Sequence, residues 1–317
     1  MTKPLGAKTL GSSILERIGH TPLARLGKVT ADLPGIEILA KVEWANPGGS
    51  VKDRAASSIV ADAFKRGELG PKRPGRALLD ATSGNTGIAY AMLGAALGFK
   101  VHLCMPSNVS PERKRLLAGY GAEIVWTDPD LSSDGAILKA RELAAAEPEK
   151  FYYADQYSND NNWKAHYRGT ANEIWEQTEG RLTHFVTGVG TSGTFMGTTR
   201  RLKELNPKIQ CIAMQPDSPF HGLEGMKHME SAMKPGIWHP EIADRQLEIS
   251  TEEAYRNVKR LGRLEGILMG VSSAANVTAA LQIAREEVKA GREAVIVTIL
   301  CDSADKYLSE RFWDEIK

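Results

Sequence analysis

Short apolar runs that alternate with longer amphipathic stretches constrain this chain more than any other feature. The runs "IEILAKVEW" (36–44), "ALLDA" (77–81), "KVHLCMP" (100–106), "EIVWT" (123–127), "FYYAD" (151–155), "THFVTGV" (183–189), "IQCIAMQ" (209–215) and "AVIVTIL" (294–300) read as strands. Between and after them, 51–66, 84–98, 110–120, 133–146, 162–179, 193–205, 251–264, 272–290 and 303–313 read as helices. Several strands are apolar on consecutive residues, the pattern of a parallel sheet covered on both faces. Strand then helix, repeated, predicts an α/β protein with right-handed crossovers. At 317 residues a single core splits, so two lobes are expected, each with a mostly parallel sheet flanked by helices. Residues 46–155 would form the smaller lobe, and 1–45 with 156–317 the larger, with the polar "QYSNDNN" (156–162) as hinge. Segment 216–245 has no period and is long for a plain connection, which marks it as functional or mobile.

Charge and cysteine usage narrow the function classes. Lys plus Arg number 40 and Asp plus Glu 39, so no strong field draws nucleic acid or an anionic membrane. No apolar run approaches the roughly 20 residues of a membrane span, and Met1 to Leu10 has no signal-peptide core. Cys104, Cys211 and Cys301 lie far apart in apolar runs and read as buried reduced thiols, which places the protein in the cytoplasm. Neither HxxxH nor CxxC spacing occurs, so no metal site is expected.

Three strand-to-helix turns carry the chemistry. Ligands of open α/β sheets gather at the carboxyl ends of strands, where helix N-termini point free N–H groups. "NPGGSVKDR" (46–54) puts Lys52 at a helix start behind two glycines, with Ser50 able to cap. It lacks the GxxxxGK[ST] spacing of a phosphate-binding P-loop, and by spacing alone Lys52 reads as a solvated lysine. "DATSGNTGIAYAM" (80–92) crowds Thr82, Ser83, Asn85 and Thr86 around Gly84 and Gly87, a cluster suited to a carboxylate. "THFVTGVGTSGTFMG" (183–197) reads as a phosphate cradle. Its Gly188, Gly190 and Gly193 also match GxGxxG, so an NAD-binding oxidoreductase stays open at this point.

Together the turns resemble the fold-type II pyridoxal-phosphate enzymes, the tryptophan synthase β-like fold, and among them the cysteine synthases. "GHTPLARL" (19–26), "NPGGSVKDR", "TSGNTG" (82–87), "DQYSNDNN" (155–162), "GTSGT" (190–194), "GVSSAAN" (270–276) and "DSADKYLS" (302–309) follow the order of that family's motifs. His20 stands where the family usually has Asn, and Ser192 where many members have Gly.

The resemblance implies pyridoxal 5′-phosphate as cofactor, with Lys52 bonding its aldehyde and later moving a proton. It implies Asn85 at the pyridoxal hydroxyl, Gly190, Thr191, Ser192, Gly193 and Thr194 around the phosphate, and Ser303 at the ring nitrogen. Thr82, Ser83, Asn85, Thr86 and Gln156 would receive the substrate carboxylate. The implied reaction is β-replacement, in which an O-activated serine and sulfide give L-cysteine through an α-aminoacrylate. O-acetylserine is the first donor expected and O-phosphoserine the second. The smaller lobe would close on substrate, and the chain would form a homodimer. A serine acetyltransferase or a sulfur-carrier protein as partner stays open. "PDSPFHGLEGMKHMESAMKPGIW" (216–238) is closer to the B-type and phosphoserine-using synthases, with Lys227 as the cation that would read a donor phosphate. No haem-binding segment is expected before residue 15 and no regulatory domain after 317, which argues against a cystathionine β-synthase of the long eukaryotic type; because the core chemistry is shared, a cystathionine β-synthase-like β-replacement or elimination is the alternative. Asp53 and Arg54 are expected to fix the lysine's turn.

Overall fold

The computed structural model describes residues 13–315. The signal-peptide reading of Met1 to Leu10 and the start of the expected larger lobe lie outside the described residues. The strands are β1 (Leu23–Arg25), β2 (Ile36–Val42), β3 (Ala77–Ala81), β4 (Val101–Pro106), β5 (Glu123–Thr127), β6 (Phe151–Tyr153), β7 (His184–Gly188), β8 (Gln210–Pro216), β9 (Arg245–Ile249) and β10 (Ala294–Leu300). The α-helices are α1 (Lys52–Arg66), α2 (Asn85–Leu97), α3 (Pro111–Gly119), α4 (Ser132–Ala146), α5 (Asp160–Arg168), α6 (Thr170–Gln177), α7 (Gly193–Leu205), α8 (Thr251–Glu265), α9 (Val271–Lys289) and α10 (Phe312–Glu315).

Two sheets form, as the alternation predicts. One has the order β1-β2-β10-β7-β8-β9 and is parallel except for the β1–β2 pair; the other, β5-β4-β3-β6, is parallel throughout. The consecutive apolar residues serve both faces. In β10, Ile296 packs with Ile38, Val258 and Ala280, while its neighbour Val297 packs with Leu39, Phe185, Phe195 and Leu202 on the opposite side. In β3, Leu78 belongs to a buried cluster with Ile59 of α1 and Ile88 of α2, and Leu79 to another with Ala136 and Ile137 of α4. No helix among the described residues is long and apolar enough to cross a membrane.

Four expectations are corrected. The single helix over 162–179 is two, broken at Gly169, where a Cβ would lie 3.0 Å from the Ala165 carbonyl and 3.2 Å from the Arg54 guanidinium. The helix over 303–313 is a 3-10 turn, Ala304–Tyr307, followed by the short α10. β1 and β9 escaped the pattern because β1 has only three residues and β9 is an edge strand that buries only Leu247 and Ile249. Segment 216–238 is irregular but largely packed, with Leu223, Met226, Met229, Ile237 and Trp238 buried and Phe220 fully out in solvent.

Candidate active site

Lys52 is the first residue of α1, and the turn before it is held on every side. Gly49 adopts φ +76°, a conformation that favours glycine. The Ser50 hydroxyl accepts from Lys52 N at 3.2 Å, and Val51 N donates to the Cys301 carbonyl at 2.9 Å. Asp53 Oδ2 accepts from Gly48 N at 2.5 Å. Arg54 lies between two carboxylates, Glu43 (Nε to Oε2, 2.7 Å) and Glu173 (2.7 and 2.8 Å). Lys41, fully buried, reaches the same Glu173 at 2.7 Å, and Glu43 also accepts from the Thr21 hydroxyl and the Asn46 amide. Asp53 and Arg54 therefore brace the turn, as expected from the sequence. Among the described residues the Lys52 ammonium itself has no hydrogen-bond or salt-bridge partner.

It faces a cavity of about 330 Å³ between the two sheets, with a narrower recess adjoining it. The cavity brings together Lys52, Thr82, Ser83, Asn85, Thr86, Gln156, Gly190, Thr191 and Lys227 from separate parts of the chain. Thr82 Oγ1 accepts from Gly84 N (3.1 Å) and Gly87 N (3.2 Å), which caps α2 and leaves its own O–H to donate. The Thr86 hydroxyl donates to Gln156 Oε1 at 2.7 Å, and Gln156 Nε2 to the Ala81 carbonyl at 2.6 Å, so the loop and the expected hinge are tied. Hydroxyls, an amide and a helix N-terminus converge here, and a carboxylate fits such a set.

The recess is lined by Lys52, Asn85, Gly190, Thr191, Ser192, Gly193, Thr194 and Ser272. Its residues fit a phosphate-bearing cofactor. The loop ends at the N-terminus of α7, Ser192 takes φ +70°, and its buried hydroxyl has no partner among the described residues. Such a strained residue with an orphaned donor is what a bound anion satisfies. A Cβ on Gly190 would collide with the Gly225 carbonyl, and one on Gly193 with the Asn162 side chain, so the backbone comes as close as glycine allows. Asn162 Nδ2 donates to Thr191 Oγ1 at 3.0 Å, and His166 Nε2 lies 3.3 Å from Thr194 Oγ1. Burial, with the Arg54 and Lys52 charges nearby, holds the His166 imidazole well below its usual pKa, so the ring is neutral and bridges Thr170 and Thr194.

Two site expectations need restating. Ser303 is not among the residues lining either space. It begins the 3-10 turn, its hydroxyl is spent on Asp305, and its backbone bridges Met269. The serine from the C-terminal part of the chain that lines the recess is Ser272, in the first turn of α9, beside Cys301. Lys227 is at the cavity but engaged: Nζ meets Asp134 Oδ1 at 2.6 Å and Ser133 Oγ at 3.0 Å, and lies 5.2 Å from the Tyr157 ring centre. Sequence reasoning missed Arg113, which lines the cavity, pairs with Glu224 and stacks at 4.8 Å on Tyr307. Nothing in "PERKR" separates it from its solvated neighbours. Among the described residues no group of three or more His, Cys, Asp or Glu is placed to hold a metal.

Comparison with known proteins agrees with this geometry. The chain is 52% identical to a cysteine synthase of Aquifex aeolicus, over 96% of this chain and 92% of that one. It is 40% identical to cysteine synthase B of Escherichia coli, over 96% and 97%. The crystal structure of a cysteine synthase from Entamoeba histolytica superposes with a TM-score of 0.89 at 36% identity, over 100% of this chain and 94% of that one. An O-ureido-L-serine synthase structure superposes equally well, with a TM-score of 0.89 at 36% identity, over 97% and 96%. The family described as pyridoxal-phosphate dependent enzyme matches residues 14–302, a span that includes the GxGxxG of 188–193, and this chain belongs to that family.

Proposed function

We propose that the protein makes L-cysteine by β-replacement, from O-acetyl-L-serine ahead of O-phospho-L-serine and with sulfide as the second substrate. The observation that carries this is an unengaged lysine facing a carboxylate-binding loop on one side and an anion cradle on the other. Pyridoxal phosphate, when bound, supplies the aldehyde that Lys52 bonds and the electron sink that lets the Cβ–oxygen bond break. Thr82, Ser83, Asn85, Thr86 and Gln156 hold the substrate carboxylate, which presents the Cα proton to the Lys52 amine. Gly190 to Thr194 hold the phosphate. Residues 46–155 act as the smaller, mobile lobe whose closure excludes water. The Lys227–Asp134 and Arg113–Glu224 pairs sit where that lobe meets segment 216–238. The reading includes a symmetric homodimer, the commonest closed assembly.

The donor preference follows from Lys227. Its charge is already matched by Asp134, so a phosphate dianion finds no free cation there, whereas a neutral acetyl ester needs none. Steady-state assays with both donors and sulfide test this. O-acetylserine is expected to give the higher kcat/KM. Asp134→Asn should raise kcat/KM for O-phosphoserine roughly tenfold, the size of one charge-assisted hydrogen bond. Adding Lys227→Ala should cancel that gain. If Lys227→Ala leaves both donors unchanged in the Asp134→Asn background, Lys227 does not read the donor; if neither donor gives cysteine, the functional reading fails.

Ser272 takes the role first expected of Ser303. A hydroxyl at the ring nitrogen, unlike a carboxylate, does not hold it protonated, which favours elimination over side reactions. Ser272→Ala is therefore expected to shift the visible absorption of the cofactor-loaded protein, and Ser303→Ala to leave it in place. The opposite pattern returns the role to Ser303.

A further inference from the structure

Asn85 opens α2 and lines both the cavity and the recess, and its amide is gripped from two directions. Nδ2 donates to Asp302 Oδ2 at 2.7 Å, and Oδ1 accepts from Lys306 Nζ at 3.0 Å. An ammonium only donates and a carboxylate only accepts, so these partners fit a single orientation of the amide. Turning the amide over would set its N–H groups against the ammonium and its oxygen against the carboxylate. A free asparagine has no such preference, because the two ends of its amide differ little in shape. We propose that Lys306 is a positioning residue: with Asp302 it locks the Asn85 amide so that the second Nδ2 N–H is kept as a donor for an oxygen of the bound cofactor.

Three further observations support a built clamp rather than a chance contact. Lys306 is buried, 3% exposed, far from where a lysine ordinarily sits. Its Nζ also donates to the Gly49 carbonyl at 2.9 Å, so one ammonium joins the glycine turn ahead of Lys52 to the first residue of α2. Asp302 is fixed in turn, since the same Oδ2 accepts from the Tyr307 hydroxyl at 2.7 Å and residue 302 bridges the backbone of Ser50. The segment 302–307 thus sets the two groups that must meet the cofactor, Lys52 and Asn85, from behind. Nothing in the expected motif roles of "DSADKYLS" assigns this to its lysine.

The inference rests on the reading above for what the cavity holds, and a double-mutant cycle on the cofactor-loaded protein separates the two. The parent, Lys306→Met, Asn85→Ala and the double variant are compared by visible absorption and by the dissociation constant for pyridoxal phosphate. Lys306→Met is expected to move the visible band in the direction that Asn85→Ala moves it, and to weaken cofactor binding roughly tenfold, the loss of one oriented hydrogen bond. In the Asn85→Ala background the same change should add less than about twofold, because its effect passes through the missing amide. Equal losses in both backgrounds, or an unshifted band in Lys306→Met, overturn the proposal. If Lys306→Met does not fold, Lys306→Arg, which keeps a donor, should retain the parent's band, and a band shifted as far as that of Asn85→Ala overturns the proposal. A parent that takes up no pyridoxal phosphate refutes the functional reading instead.

Discussion

Replacing Lys52 with alanine is expected to lower kcat/KM by at least about 10³-fold and to leave the fold intact. Removal of a group that serves as both nucleophile and proton carrier has losses of this size or larger. Its effect on stability should be small, because the ammonium has no partner among the described residues and its removal strands no buried group. The braces around it, Asp53 on Gly48 and Arg54 on Glu43 and Glu173, stay in place. Two measurements check this together. Borohydride reduction of the loaded parent followed by peptide mass spectrometry should place the cofactor's mass on Lys52, and the alanine variant should carry none. Thermal melting of the two apoproteins should coincide within a few degrees. A retained activity, or a label on another lysine, would falsify the assignment.

Arg54→Met should do the reverse, unfolding the protein more readily while touching no reacting atom. Arg54 is 5% exposed, and its guanidinium satisfies Glu43 and Glu173 at once. Its loss leaves two acidic side chains facing each other, with only Lys41 left as counter-charge on Glu173. Breaking a buried pair in this way costs about 3–5 kcal/mol, a large share of a domain's net stability. The penalty should depend on pH. Arg54 and Lys41 outweigh burial and hold the Glu173 carboxyl well below its ordinary value. A carboxylate with a depressed folded pKa contributes stability that is fully present above its unfolded value, and that is lost as pH falls through the folded one. The gap in melting temperature between parent and Arg54→Met is thus expected to be widest near neutrality and to narrow in acid. A gap that is constant with pH would show that packing, not charge, is what Arg54 supplies.

How much of this was legible beforehand depended on whether the information was local. The strands of the two sheets were readable because each residue packs one face, and a covered sheet demands apolar side chains on consecutive positions, as in "AVIVTIL". β9 was not, because an edge strand with exposed Glu248 and Gln246 loses that signature. The three loaded turns were legible for the same reason of locality: glycines and hydroxyls cluster where a strand ends and a helix begins. What the sequence did not reveal was that Ser272, and not the expected Ser303, lines the recess. Ser272 and Ser303 both lie in motif-like segments, and the place each takes is set by α9 packing against β10 and by the 3-10 turn that Ser303 caps. Arg113, His166 and Lys306 are harder still. Their partners, Glu224, Thr194 and Asn85, are 111, 28 and 221 positions away, and only the folded chain brings them together.

The position of β10 has a consequence for how the protein is made. This late strand lies between β2 and β7, and the Cys301 and Asp302 that follow it anchor Val51 and Ser50 beside the lysine. While a ribosome is still adding residues short of 300, the β5-β4-β3-β6 sheet already has all its strands, but the other is split down its middle. The lysine's turn therefore lacks its anchor until residues 301 and 302 have been added. A chain that stops short of residue 301 lacks the backbone partners that hold Ser50 and Val51 beside the lysine.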